Sequence, residues 1–577
     1  MDAQHIYQSW LDHPDLLEED RKELLELAGK PEEIEDRFYQ ELAFGTAGLR
    51  GIMGPGTNRM NVYNVARAAE AYARYLLESD AEVREKGIAI SYDSRINSER
   101  FARIAAAAFI RHGIKVLFSD ELRPVPYLAF AVRHYHSAGG IMITASHNPR
   151  QYNGFKVFGP NGAQLPVEQS DRVAEEIAKI GDPIACYHAL PDWDSLTENE
   201  AMHFLGQDLD TAYENMALEL SLHPEAIRLA PNFKLVYTAL NGTGLKPVCS
   251  LLKGMGLKEL HLVEEQALPD GNFPTTPYPN PEDPKALTLA LELMEREGAD
   301  MLLATDPDAD RLGVVIRDQE AKPRLLSGNE TGLLLLDYIL SEKKWTKQPF
   351  VVTTIVSSRL VEPLAKAHDV EVYRTLTGFK NMARVIEEEA DREGRDFCFA
   401  YEESFGYLCT PYIRDKDAVS AALLMTEMAC LAKRQGESCY QRLERIYQRL
   451  GYAAEKTWSF VREGQAGQAA IRRAMATMRT AGQEAFPELE LRSISDYEQL
   501  VRLDLQTGER EELREERSNV LVYELAGLDW FACRPSGTEP KLKLYLGVSR
   551  PDKAEAQAAL QLLEAKVREQ IEKALAE

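Results

Sequence analysis

The sequence predicts an α/β chain: three units of alternating strand and helix, followed by a smaller α+β segment. Three observations lead there. Short apolar runs closed by glycine- or proline-rich turns alternate with helix-forming stretches, the pattern of βαβ units and a mostly parallel sheet. The rhythm recurs three times in architecture, without obvious repetition of sequence. After about residue 455 hairpin-like strands replace it. A length of 577 residues, at a prior of roughly 150 per domain, fits three or four domains.

The elements follow in order. The first forty residues are charged and helix-rich, with Asp15, Glu18 and Glu19 leading into helix formers. GIAISY, residues 87–92, reads as a strand. SERFARIAAAAFIRHG reads as a helix with Ser98 as N-cap, Glu99 behind it and Gly113 as its stop. IKVLFSD is a strand, PVPYLAFAVRHYH a helix opened by prolines, and GGIMITASHNP a strand running into a loop. In the second unit KLVYTALNGTG is a strand and glycine turn, LKPVCSLLKGMG a helix, and ADMLLATDPDADR a strand and loop. FVVTTIVSS and FCFAYEESFGYL are strands of the third, and KDAVSAALLMTEMACLAKRQG is a helix. Beyond them come the helix QAAIRRAMATMRTAG, strands in YEQLVRLDLQTG, SNVLVYELAG and DWFACRPSGTEPKLKLYLGV, and a closing helix from Asp552. The mixed-charge run 509–519 reads as a solvated loop.

Lys and Arg number 67 and Asp and Glu 92, a formal charge of −25. Such a surface repels phosphate backbones and anionic lipid, so neither a nucleic-acid nor a membrane partner is expected. A small anion held in a locally basic cleft stays open. Hydrophobic residues are 45% and charged ones 28%, enough for each unit to bury its own core. The 7 cysteines, an odd number without CxxC spacing, argue against a disulfide scaffold or zinc module and fit a reducing, cytoplasmic setting. The acidic N-terminal stretch lacks the apolar run of a secretory signal. The most apolar stretch, Leu333 to Leu340, is too short to span a bilayer and contains Asp337.

In an open parallel sheet, ligands sit beyond the carboxyl ends of strands. Four loops there have unusual composition. TASHNPRQYNGFK places Ser146 after an apolar strand; it is a candidate nucleophile, although GxSxG is absent, and an Asn-Pro turn with a capping serine is the plainer reading. DPDADR alternates Asp306, Asp308 and Asp310, which can turn their oxygens to one point, as a hard divalent cation such as Mg²⁺ requires. An EF-hand fails, because its sixth and twelfth positions would be Arg311 and Arg317. YEESFGYL, with RDKDA after it, offers Glu402, Glu403 and Ser404 to sugar hydroxyls. RPSGTEPK can present a guanidinium, two hydroxyls and backbone N–H groups as a phosphate nest, and it is not a Walker loop. A glycine-dense segment, residues 44–61, carries Arg50 and Arg59 and lacks the dinucleotide fingerprint; Arg50 could reach an anion.

Together these loops resemble the α-D-phosphohexomutase family. The match covers nearly the whole chain in order: GTAGLRG, TASHNP with NGFK, DPDADR, TGFK, EESFGY and RPSGTEP. Length and the EESFGY form look like the long bacterial phosphoglucomutase branch. The resemblance implies four domains around a central cleft, three of one α/β topology and a fourth smaller α+β domain, here 1–210, 211–324, 325–455 and 456–577. It implies that Ser146 is a phosphoserine, that Asp306, Asp308 and Asp310 bind Mg²⁺ with a phosphate oxygen on Ser146, and that Arg311 touches that phosphate. Thr377, Gly378, Glu402, Ser404 and Lys416 would bind the sugar phosphate. Arg534, Ser536, Gly537 and Thr538 would clamp the non-reacting phosphate, on a domain expected to close the cleft and exclude water. Two positions depart from the family pattern: Tyr401 precedes Glu402 where glycine is usual, and the HGTG-type turn reads NGTG at 241–244.

The implied activity is interconversion of α-D-glucose 1-phosphate and glucose 6-phosphate, with glucose 1,6-bisphosphate as intermediate and activator. Phosphoryl transfer needs positioning and charge neutralisation, here by Mg²⁺, Arg50 and Arg311. The accepting hydroxyl needs a proton acceptor; His147 and Lys156 are the candidates, and a lysine among cations is expected to have a lowered pKa. Mannose or pentose phosphates, a bisphosphate synthase using an external donor, and a phosphosugar-binding regulator stay open, as does the oligomeric state.

Overall fold

A computed structural model describes residues 2–45, 48–462, 464–536 and 541–576. The chain forms two compact units, Met1–Ser327 with Ser404–Ser438, and Gly328–Glu403 with Cys439–Glu577.

The first unit contains two sheets. In one, the fully buried strand Ile88–Tyr92 lies parallel to Val116–Ser119 on one side and to Gly139–Ile143 on the other. Met202–Leu205 extends the parallel side. Tyr152–Phe158 turns back antiparallel to Gly139–Ile143, and Leu49–Ile52 pairs antiparallel to it at the edge. Near-continuous Ile, Val, Phe and Met runs suit strands covered on both faces. The alanine-rich helix Ser98–Arg111 and the helix Val62–Ser79 supply much of this cover. In the second sheet Lys234–Thr238 is parallel to Glu259–Leu262 and Met301–Thr305, and Leu312–Arg317 returns antiparallel beside the latter. The helix Ala418–Arg434 also belongs to this unit; Asp417 caps it by accepting from the backbone N–H groups of Val419 and Ser420.

The second unit has a parallel group in which Pro349–Thr354 lies between Glu371–Thr375 and Asp396–Glu402. Its other sheet is antiparallel and seven-stranded. The strand Tyr452–Val461 pairs along its length with Lys541–Arg550, followed by Trp530–Pro535, Leu521–Glu524, Ser493–Asp496, Val501–Asp504 and Arg510–Glu512. The helices Gly464–Ala481 and Lys553–Ala576 bury their apolar stripes on one face of this sheet, through Met475, Met478, Leu560 and Val567 among others. The change from parallel to antiparallel style after residue 455 is therefore real.

Two local expectations are corrected. Ser98 is not the N-cap of its helix; Asn97, at φ 65°, is, and it makes no side-chain capping bond. Ser98 Oγ instead donates to Asp93 Oδ1 at 2.7 Å. The run 509–519 is not loop throughout: Arg510–Glu512 forms an exposed edge strand. Asp337, inside the apolar helix Gly328–Glu342, is buried and bonded by Arg442 and Arg449, each at 2.8 Å. No helix among the described residues is long and apolar enough to cross a membrane. None of the seven cysteines forms a disulfide among the described residues.

Candidate active site

Within the first unit the serine and acidic loops meet. The chain leaves the strand Gly139–Ile143 and turns at Ser146, a non-glycine residue in the left-handed region at φ 52°. The acidic loop leaves Met301–Thr305 and turns through Ala309, at φ 49°. Such conformations persist only where their surroundings over-determine them. Thr144 does part of this: its Oγ1 accepts from the Ser146 backbone N–H at 2.8 Å and donates to Asp308 Oδ2 at 3.0 Å. Ser146 Oγ donates to Asp306 Oδ2 at 2.8 Å, and His147 Nδ1 lies 3.1 Å from the same hydroxyl.

The acidic loop is fixed from behind by the NGTG turn. The backbone N–H and hydroxyl of Thr243 both donate to Pro307 O, at 2.8 and 2.9 Å. A Cβ on Gly242 would stand 2.4 Å from Pro307 Cα, so glycine is required for this approach. The departure at Asn241 lies away from the carboxylates: its amide donates to the carbonyls of Glu265 and Leu268.

Asp306, Asp308 and Asp310 are buried, and one oxygen of each lies within 4.8 Å of the others. Asp308 Oδ1 and Asp310 Oδ1 are buried without a hydrogen-bond partner among the described residues. Burial, and then the charges of Asp308 and Asp310, push Asp306 well above the usual carboxylate range. Three buried carboxylates with unused oxygens fit a hard divalent cation. Burial also disfavours ionised Asp310, but Lys416, Lys156 and Arg311 outweigh it and hold this carboxyl low. Lys156 Nζ sits 2.9 Å from Asp308 Oδ2 and 3.6 Å from Asp310 Oδ2, and Lys416 Nζ 3.2 Å from Asp310 Oδ2.

The expected lowering of Lys156 is overturned. Burial alone would lower it, but Asp308 and Asp310 hold it above the ordinary lysine value. The sequence showed the neighbouring cations and not the nearer carboxylates. His147 goes the other way: burial, then Arg311 and Arg50, keep it well below its ordinary value and neutral. Arg50 Nη1 donates to Asn148 Oδ1 at 3.2 Å. Arg311 Nη1 donates to Glu282 Oε1 at 2.5 Å, while its backbone N–H donates to Asp306 Oδ1 at 3.0 Å.

Arg95 and Glu282 escaped the sequence reading. Arg95 donates to the carbonyls of Ser146, Asn148, Pro149 and Tyr152, so one buried guanidinium gathers the serine loop. Its place just past the carboxyl end of Ile88–Tyr92, the strand beside Gly139–Ile143, could have flagged it. Glu282 has no comparable signal.

The second unit carries the other candidates. Glu402 ends the strand Asp396–Glu402, and its Oε2 accepts from the Gly378 backbone N–H at 3.3 Å. Thr377 precedes Gly378, which stands at φ 108°. Tyr401 is fully buried and stacks on Phe399 at 6.0 Å, as neighbours on one face of a strand do; the alternation sends Glu402 to the other face. The Tyr401 departure is thus a packing feature. Glu403 Oε2 accepts from Thr354 Oγ1 at 3.0 Å, and burial beside Glu402 pushes it up to about 7. Arg534 lies at the end of Trp530–Pro535, opposite Lys543, and Ser536 N–H donates to Lys541 O at 2.8 Å. Gly537 and Thr538 lie outside the described residues. Ser404 opens the segment that belongs to the first unit, as does Lys416.

Models of the phosphoglucomutase/phosphomannomutase family match this chain over its α/β/α domains I, II and III, at residues 41–183, 212–319 and 327–450. A phosphoglucomutase of Staphylococcus aureus (strain MRSA252) is 36% identical over 524 residues, covering 90% of this chain and 92% of that protein. One from Staphylococcus epidermidis is 37% identical over 522 residues, with the same coverage of 90% and 92%. Among solved structures, the open form of Paramecium parafusin, a phosphoglucomutase, superimposes with a TM-score of 0.70 at 17% identity, covering 92% of this chain and 95% of that one. A phosphoglucomutase/phosphomannomutase family protein from Burkholderia thailandensis gives 0.66 at 18% identity, covering 92% and 97%. At these identities the structural likeness concerns the fold.

Proposed function

The chain belongs to the phosphoglucomutase/phosphomannomutase family, and from that membership we propose that it is a phosphoglucomutase interconverting α-D-glucose 1-phosphate and glucose 6-phosphate. The observation that carries the reading is Ser146 Oγ, 4% exposed at the residue level and 2.8 Å from Asp306 in a buried three-carboxylate cluster. Phosphorylated Ser146 donates to one hydroxyl of the sugar monophosphate. The glucose 1,6-bisphosphate so formed turns over and returns its other phosphate to Ser146.

Asp306, Asp308 and Asp310, with a phosphate oxygen on Ser146, would hold Mg²⁺, which would supply Lewis-acid neutralisation of the phosphoryl oxygens. The protein's own groups do the rest. Thr144 and Arg95 hold the serine loop in its turned conformation. Arg50 and Arg311 spread the charge of the transferring group. His147, held neutral and 3.1 Å from Ser146 Oγ, accepts the proton of the attacking sugar hydroxyl and passes it to Ser146 Oγ as that oxygen leaves the phosphoryl group. Glu402, Ser404, Thr377, Gly378 and Lys416 read the sugar phosphate, and Arg534 with Ser536, Gly537 and Thr538 clamps its far phosphate. The preference for glucose follows the names of the staphylococcal relatives. A reducing cytoplasm suits a chain whose seven cysteines form no disulfide among the described residues.

The test is the initial rate of glucose 6-phosphate formation from glucose 1-phosphate, with Mg²⁺ and trace glucose 1,6-bisphosphate. Mannose 1-phosphate and ribose 1-phosphate run in parallel. We expect turnover fastest on glucose 1-phosphate, abolished in Ser146→Ala and by chelation. Full activity in Ser146→Ala sinks the mechanism; a stronger mannose or ribose rate moves the substrate. Bisphosphate accumulating from an external donor marks a synthase instead.

A further inference from the structure

One segment, residues 270–282, reaches three of the residues arranged around Ser146. Gly271 bridges to Arg95, and a Cβ there would lie 2.5 Å from the backbone N of Ile96, so only glycine permits the approach. The Phe273 ring lies 5.0 Å from the Arg95 guanidinium carbon. Tyr278 meets the His147 ring edge to face at 5.6 Å. Glu282 then accepts from Arg311 Nη1 at 2.5 Å. The segment is stiff: Pro274, Pro277, Pro279 and Pro281 fix four of its φ angles. Asn280 Oδ1 accepts from the Glu282 backbone N–H at 3.1 Å, anchoring the residue that holds Arg311.

Arg311 needs such a partner. It is a long side chain with many rotamers, and it lies close enough to Arg50 and His147 to disfavour positive charge on both. A carboxylate on one end nitrogen fixes the plane of the guanidinium and offsets the repulsion from Arg50. We propose that segment 270–282 is a positioning strap for the phosphoserine site, and that Glu282 is the positioning residue that aims Arg311. This rests on the mutase reading and on Arg311 meeting the phosphate.

Glu282→Gln keeps size and acceptor and removes the charge; Glu282→Asp keeps the charge and withdraws it by one methylene. Both are expected to lower kcat about 10- to 100-fold, the range for residues that orient a group touching the reacting atoms, with KM within about threefold. Single-turnover phosphorylation of Ser146 by glucose 1,6-bisphosphate should slow by the same factor. Mg²⁺ affinity by calorimetry should stay within about threefold, because the three aspartates are untouched. In a cycle with Arg311→Lys, the double variant should be no slower than Arg311→Lys alone. A wild-type kcat in either Glu282 variant, or additive losses in the cycle, overturns the proposal. Absence of mutase activity in the wild-type chain would instead refute the function on which it rests, before Glu282 is tested.

Discussion

Lys156 Nζ lies between Asp308 and Asp310, and an ammonium held among carboxylates keeps its proton. His147, half-buried, is held well below its ordinary value by desolvation and by the charges of Arg311 and Arg50. The division of labour we propose is that Lys156 supplies charge and His147 accepts the proton. His147→Gln should lower kcat by roughly 10²- to 10⁴-fold, the usual weight of a general base. Lys156→Arg, which keeps the charge and cannot act as base, should retain distinctly more activity. The reverse ranking in steady-state kinetics would make Lys156 the base. Because the histidine pKa is depressed, wild-type kcat should show no fall assignable to His147 between pH 8 and 6.5, where an ordinary imidazole begins to protonate. At this scale Ser146 and the three aspartates were legible, since each stands in a loop whose composition is odd for a turn. Arg95 and Glu282 were not. Their roles come from backbone carbonyls and a guanidinium elsewhere in the chain, and only Arg95's place past a strand end hinted at its role.

Strand and helix alternation was legible for a plain reason: buried parallel strands write continuous apolar runs, and their helices write longer ones with caps. Caps themselves were less so, because Asp93, five residues before Ser98, captures the hydroxyl that would have capped the helix. The assignment of Ser404–Ser438 to the first unit was invisible for a different reason, since it depends on tertiary packing alone. The strand Tyr452–Val461 carries a testable group. Asn329 Nδ2 donates to Glu455 Oε2 at 2.7 Å, Ser358 also bonds it, and Glu330 and Arg374 face it with opposite charges. Burial is the leading effect and pushes Glu455 from 4.5 up to about 7. A carboxyl raised on folding holds a proton that the unfolded chain has released. Its contribution is therefore complete below about pH 4.5 and is lost as pH rises to about 7. Glu455→Gln should leave stability nearly unchanged at pH 4.5 and gain on the wild type by pH 8. The difference between the two pH values should reach at most about 3 kcal/mol, read from denaturant unfolding. A pH-independent difference would mean that Glu455 titrates normally.

The whole molecule joins an acidic surface, at −25, to a cluster of lysines and arginines at the first unit's loops. At physiological ionic strength the Debye length is about 8 Å, so distant surface carboxylates are screened from a substrate while the lysines and arginines lining the site are not. On the proposed function, a phosphosugar is held by the site's own charges and not steered by the net charge of the molecule. The same separation governs metal linkage. The three aspartates lie in one unit and Glu455 in the other, and a chain built of two compact units need not unfold in one step. A cation that binds only the folded first unit stabilises that unit by mass action, by about 2.7 kcal/mol at one hundred times its Kd. In scanning calorimetry, Mg²⁺ should move one transition upward by a few degrees and leave the other in place, and chelation should reverse the shift. Asp308→Asn should abolish the shift without moving the second transition, whereas Glu455→Gln should move only that second one. Equal movement of both transitions with Mg²⁺ would mean that the units unfold together. A shift that survives Asp308→Asn would place the cation elsewhere than at Asp306, Asp308 and Asp310.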